Sequence, residues 1–78
     1  MADIKKPATP DPRHLFGKRL AEIRKELGWS QEKLAIESGI ARSYLSGIER
    51  GQRNVALLNI CRLANTLGVT PSVLMDFQ

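Results

Sequence analysis

The sequence predicts an all-α fold: one domain of five short helices joined by tight turns, with a helix-turn-helix in its middle. Three observations carry this. Apolar residues recur at spacings of three and four between Phe16 and Leu74, the period of a helix that buries one face. Glycines and short polar residues (Gly28, Ser30, Gly39, Gly51, Gly68, Thr70) interrupt that pattern with residue types that stop and start helices. No stretch alternates apolar and polar with the two-residue period of a half-buried strand, and no internal repeat is present.

Residues 1–12 hold three of the four prolines, Pro7, Pro10 and Pro12, and few aliphatics. They read as a flexible N-terminal arm. Its Lys5 and Lys6 suit either a solvated tail or a strand of chain that follows a nucleic-acid groove. The domain proper is expected over residues 13–78. Phe16, Leu20, Ile23 and Leu27 then form one face of a first helix, opposite Lys18, Arg19, Glu22, Lys25 and Glu26, and Gly28 closes it. Trp29 precedes the cap and reads as a core residue rather than a base-stacking platform.

Ser30 is an N-cap for a second helix over residues 31–38 that buries Leu34 and Ala35 and stops at Gly39. A third helix starts near Ala41 or Arg42, with Ile40 and Leu45 at staple spacing and Leu45 and Ile48 inward. Gly51 and the polar residues after it end that helix. A fourth follows with the stripe Leu57, Ile60, Leu63, Ala64 and Leu67, capped by Gly68. Thr70 and Pro71 open a fifth carrying Val73, Leu74 and Phe77.

Length and inventory exclude several function classes. A chain of 78 residues buries only about 60% of its unfolded surface, so stability of roughly 3–5 kcal/mol is expected and self-association would raise it. Cys61 is the one cysteine and His14 the one histidine. They supply neither a disulfide nor three or four zinc ligands, and no cofactor is implied. No apolar run suits a signal peptide or a membrane span, so the chain is expected in the cytoplasm with no membrane partner. The acids lie on solvent faces and no phosphate-binding glycine loop is present, which argues against an enzyme.

Charge points to a partner. Twelve Lys and Arg against eight Asp and Glu leave a net charge of +4, a surplus that also serves solubility alone, so its distribution must decide. Between Arg42 and Arg62 there are four arginines, Arg42, Arg50, Arg53 and Arg62, and one acid, Glu49. This cluster coincides with the second helix of the helix-turn-helix, an element that fits a DNA major groove. At 100° per residue, Ser43, Ser46, Gly47 and Arg50 fall opposite Leu45 and Ile48, and Arg42 projects from the first turn.

Small side chains at Ser43, Ser46 and Gly47 would let the helix approach base edges, and the fork of Arg42 suits guanine O6 and N7. An isolated helix with this face could equally be solvated; the surrounding charge favours base readout. Phosphate contacts are expected from Arg50, Arg53, Asn54 and Gln52, and from Gln31 at the N-terminus of the second helix.

These segments also carry a resemblance. Leu27-Gly-Trp-Ser-Gln-Glu-Lys-Leu-Ala35, Gly39, Arg42-Ser-Tyr-Leu-Ser-Gly-Ile-Glu-Arg-Gly51 and Ile60-Cys-Arg-Leu-Ala-Asn-Thr-Leu-Gly-Val69 resemble the Cro/CI-type (XRE) helix-turn-helix family. The likeness covers residues 15 to 76, and within the family it is most similar to restriction-modification controller proteins. It implies a lambda-repressor-like domain of five helices that dimerises through its C-terminal helix on a near-palindromic operator.

The resemblance also implies groove and backbone contacts by Gln31, Arg42, Ser43, Tyr44, Ser46 and Gly47, and an internal ion pair between Arg24 and Glu49. Expected partners are double-stranded DNA, a second copy of the chain, and RNA polymerase that is either occluded or contacted. Val69, Met75 and Phe77 are the candidate dimer residues, because the last segment holds more apolar side chains than a short helix can bury in a monomer. Two rivals stand beside this reading. An antitoxin-type autorepressor would need a toxin partner, and a protein-interaction module would show outward aromatic or leucine anchors where Arg42, Ser43, Ser46 and Arg50 stand.

Overall fold

The computed structural model describes residues 11–77, which form α1 (Pro12–Glu26), α2 (Gln31–Ser38), α3 (Arg42–Glu49), α4 (Leu57–Leu67) and α5 (Pro71–Leu74). No strand occurs among the described residues. Most of the expected arm, Lys5 and Lys6 included, lies outside them. Its last two residues belong to the domain instead. Asp11 caps α1 by accepting the Arg13 N–H at 2.9 Å, and Pro12 takes the first helical position, where its missing N–H costs nothing. The Arg13 guanidinium hydrogen-bonds the same carboxylate and holds the pKa of Asp11 below its ordinary value.

One core joins all five helices. Phe16, Leu20 and Ile23 of α1 meet Leu34 and Ala35 of α2, Ile40 of the turn, Leu45 and Ile48 of α3, Leu63, Ala64 and Leu67 of α4, and Leu74 of α5. α1 packs on α3 and α5, α2 on α3 and α4, and α4 on α5. Trp29 is half-buried against this cluster, as expected. The end of α1 is closed by the Gly28 N–H on the Lys25 carbonyl at 2.9 Å and the Trp29 N–H on the Arg24 carbonyl at 3.1 Å. This paired closure turns the chain back toward the core.

Four expectations need correction. Leu27 is 47% exposed because it is the C-cap of α1, at the point where the chain turns away from the packed face. Leu57, expected on the inner stripe of α4, is 72% exposed; it is the first residue of the helix, ahead of the turns that pack. α5 is a single turn that ends at Leu74, so Met75 and Phe77 lie beyond it. Thr70 does not cap α5, since its hydroxyl pairs with that of Ser72 at 2.9 Å rather than with a backbone N–H. Ala41 and Ala56 leave α3 and α4 without side-chain caps, as their residue type requires.

Two glycines set how closely α1 approaches α3. A Cβ placed on Gly17 would lie 2.2 Å from the Ile48 carbonyl oxygen and 2.8 Å from that of Glu49. Both obstacles are backbone, so no rotamer change relieves them. Gly51 is needed twice: its φ of +76° belongs to the left-handed region, and a Cβ there would meet the His14 Cα at 2.8 Å. Gly17→Ala should therefore force the two helices apart and destabilise the domain by about 2–3 kcal/mol or more, a large fraction of what a chain this short possesses. Urea denaturation followed by circular dichroism checks this, and an unchanged midpoint would refute the close crossing.

Candidate nucleic-acid interface

The helix-turn-helix is built from three local features. The Ser30 hydroxyl accepts the Lys33 N–H at 3.0 Å and opens α2. Gly39, at φ 74°, ends it with its N–H on the Ala35 carbonyl at 2.9 Å. The buried Ser38 hydroxyl accepts the Ile40 N–H at 3.3 Å, which satisfies the backbone inside the turn while Ile40 enters the core.

A buried ion pair then holds the two helices against α1. Arg24 Nε donates to Glu49 Oε2 at 2.7 Å and its Nη2 donates to Glu49 Oε1 at 2.9 Å, while Nη1 donates to the Trp29 carbonyl at 2.6 Å. The two side chains are 9% and 7% exposed. This parallel geometry is the strong form of an arginine–carboxylate contact, and the hydrogen bond to Glu49 raises the pKa of Arg24 further above its ordinary value. The pair expected from family resemblance is thus formed.

Gln31, the first residue of α2, joins it by donating Nε2 to Glu49 Oε1 at 2.9 Å. That link, which ties the start of α2 to the end of α3, is absent from the sequence expectations. A glutamine and a glutamate 18 residues apart carry no periodic signal.

Gln31, Arg42, Ser43 and Ser46 line one open depression of about 290 Å3 between the first turns of α2 and α3. The structure therefore brings together four residues that the sequence assigned to DNA contact. Arg42 and Ser43 are exposed and Ser46 is half-buried. α3 has no side-chain cap, so backbone N–H groups of its first turn remain available to an anion. Arg50 is exposed and donates to the Ser46 hydroxyl and to Gln52 Oε1, the latter at 3.3 Å.

Tyr44 is half-buried, and its hydroxyl donates to the Asn54 carbonyl at 3.1 Å. Arg53 lies over the Tyr44 ring at 5.7 Å. Gln52, Arg53 and Asn54 themselves are exposed.

Gly47 departs from the outward position expected for it. It is buried, and a Cβ there would stand 3.0 Å from Arg53 Cγ and 3.2 Å from its Nε. The missing side chain makes room for the arginine stem. A glycine inside a helical pattern often marks such a close approach, and this was the signal available in the sequence. Of the residues expected at a dimer contact, Met75 is 48% exposed, whereas Val69 and Phe77 are half-buried against the core.

The fold and this arrangement define a helix-turn-helix protein. The helix-turn-helix family model HTH_3 matches residues 20–74, and the chain belongs to that family. It is similar to Control protein C.BamHI of Bacillus amyloliquefaciens, at 49% identity over 70 residues, 88% of this chain and 86% of that one.

Among solved structures it is similar to the restriction-modification controller protein C.AhdI from Aeromonas hydrophila. The TM-score there is 0.78 at 53% identity, over 80% of this chain and 94% of that one. It is also similar to SinR, a master regulator for biofilm formation solved in complex with DNA. That match has a TM-score of 0.75 at 37% identity, over 78% of this chain and 98% of that one.

Removing one partner of the buried pair tests the brace. Glu49→Ala leaves the Arg24 guanidinium buried without its acceptor, which should cost about 3–5 kcal/mol and leave little folded protein at room temperature. Replacing both, as Arg24→Met with Glu49→Leu, should restore most of that loss. Urea denaturation of the two variants decides, and a folded Glu49→Ala protein of unaltered stability would mean that the pair braces nothing.

Proposed function

We propose that the chain is a sequence-specific double-stranded DNA-binding regulator of transcription. In this reading it acts in the cytoplasm as a homodimer on a near-palindromic operator and serves as a restriction-modification controller protein. The observation that carries this reading is the convergence of Arg42, Ser43, Ser46 and Gln31 at the uncapped start of α3, with Arg50 and Arg53 beyond them. The names of its relatives, two of them controller proteins and one a regulator solved with DNA, support it.

In this reading α3 enters the major groove by its N-terminal end. Arg42 makes the bidentate contact to a guanine edge, and Ser43 and Ser46 approach neighbouring bases. Ser46 does so once Arg50 turns from it to a phosphate. Gln31 and the α2 N-terminus, Arg53, Gln52, Asn54 and Tyr44 hold the backbone on either side. Two copies related by a two-fold axis set half-sites whose centres lie about 34 Å apart. Met75, with Val69 and Phe77 beside it, belongs to the end of the chain through which the copies associate. Occupancy then acts on promoter output by occluding RNA polymerase or by touching it.

Selection on random duplex DNA followed by footprinting would show the operator and its symmetry. With about four phosphate contacts per subunit, log K against log salt should have a slope of about −7, and a slope near zero would refute DNA binding. Arg42→Ala should cost about 1–3 kcal/mol on the selected site and relax preference at one base position. Arg53→Ala should weaken specific and random DNA alike. Equal behaviour of the two variants across a panel of operator changes would overturn the division into reader and anchor.

A further inference from the structure

Arg50 is hydrogen-bonded to a residue of the depression it stands beside. Its Nη1 donates to the Ser46 hydroxyl one helical turn back, and its Nε and Nη2 donate to Gln52 Oε1 at 3.4 and 3.3 Å. Both acceptors are neutral. Arg13, Arg19 and Arg24 each meet a carboxylate instead. The acid next to Arg50 in the chain, Glu49, accepts from Arg24 and Gln31, and among the described residues no carboxylate pairs with Arg50.

Ser46 is at the other end of this bond. It lines the depression with Gln31, Arg42 and Ser43. A hydroxyl has one proton and two lone pairs, and while Arg50 donates to it one lone pair is taken and the rotor is held. The guanidinium is committed at the same time, since it spans from Ser46 to Gln52. The reader and the cation beside it therefore occupy each other.

We infer that Arg50 is a positioning residue that couples phosphate contact to base reading: it holds Ser46 until a DNA phosphate takes its guanidinium, and that exchange frees the hydroxyl for a base edge. The inference deepens the DNA-binding reading above and rests on it. Charge drives the exchange. A phosphate matches the arginine fork and carries the opposite charge, whereas the serine and glutamine oxygens carry none. Arg50 and Gln52 are exposed, so little desolvation opposes the change. Arg24 is different, because its bonds are buried with a carboxylate.

Breaking one bond releases two groups, so its cost is met once and serves both contacts. The phosphate contact of Arg50 and the base contact of Ser46 are thereby cooperative. The same bond lowers affinity for DNA at large, since the cation is available only in the fraction of molecules where the bond is open. Ser46 thus restrains binding to duplexes of any sequence, although it touches no phosphate itself.

Fluorescence anisotropy titrations of the full chain against a pool of random-sequence duplexes and against the selected operator test this, with Ser46→Ala, Arg50→Ala and the double variant. Alanine is the residue best suited to a helix interior and neither side chain belongs to the core, so all should keep the same helical circular dichroism. Ser46→Ala should bind random duplex at least about threefold more tightly than the unaltered chain, because no hydroxyl competes for Arg50. Its ratio of operator to random affinity should fall by about fivefold or more as the base contact is lost. Arg50→Ala should reduce the slope of log K against log salt by about one per subunit. In that background Ser46→Ala should leave the affinity for random duplex unchanged.

An affinity for random duplex that Ser46→Ala leaves unaltered or lowers, or that it raises equally with and without Arg50, would overturn the inference. An unaltered chain with no salt-dependent affinity for any duplex would instead overturn the DNA-binding reading beneath it.

Discussion

The contact between Arg24 and Glu49 is the constraint on which the rest of the arrangement depends. It is the one place where the last turn of α1, the segment entering α2, the first residue of α2 and the last turn of α3 are joined by directional bonds. Hydrophobic burial is roughly indifferent to orientation, so the leucines bring these helices together without deciding their rotation. A guanidinium fork held by a carboxylate, a carbonyl and a fixed set of distances does decide it. Such a pair is stable only when its polar atoms are fully used, and among the described residues no buried side-chain nitrogen or oxygen lacks a partner.

Close packing at Gly17 works with that pair. Where α1 crosses the end of α3, the Ile48 and Glu49 carbonyls occupy the space a methyl group would need. The approach brings Glu49 within reach of a guanidinium on the same helix. Glycine at one position and a charge pair seven residues on are therefore parts of one device. Gly47 performs a similar service on the opposite side of α3 by admitting the stem of Arg53, which then lies over Tyr44. Tyr44 in turn ties the loop after α3 through Asn54. Arg53 is thus held by its stem and by the Tyr44 ring, and Arg50 by Ser46 and Gln52, whereas Arg42 projects freely.

The surface divides in two. Around α3 it is polar and rich in arginine, and along α4 it is apolar and nearly free of charge. In the reading proposed above, the polar, arginine-rich surface is the one that meets DNA.

The sequence by itself determined the five helices, most of the core and the family. Helical period, glycine stops and caps are local signals, and Phe16, Leu20, Ile23, Leu34, Leu45, Leu63 and Leu74 are all buried where the pattern puts them. Errors arose at helix ends, at Leu27, Leu57 and the short α5, because periodicity continues past the last turn that has something to pack against.

Much of the candidate site was also legible. Arg42, Ser43 and Ser46 follow from helix phase, and Gln31 from its place at a helix start. Only the tertiary structure decided that Gln31 is bonded to Glu49, that Arg53 fills the space over Gly47, and that Leu58 stands in water. Each of these depends on which helix lies across from which at a few ångströms, and residues far apart in the chain leave no periodic trace of such a meeting.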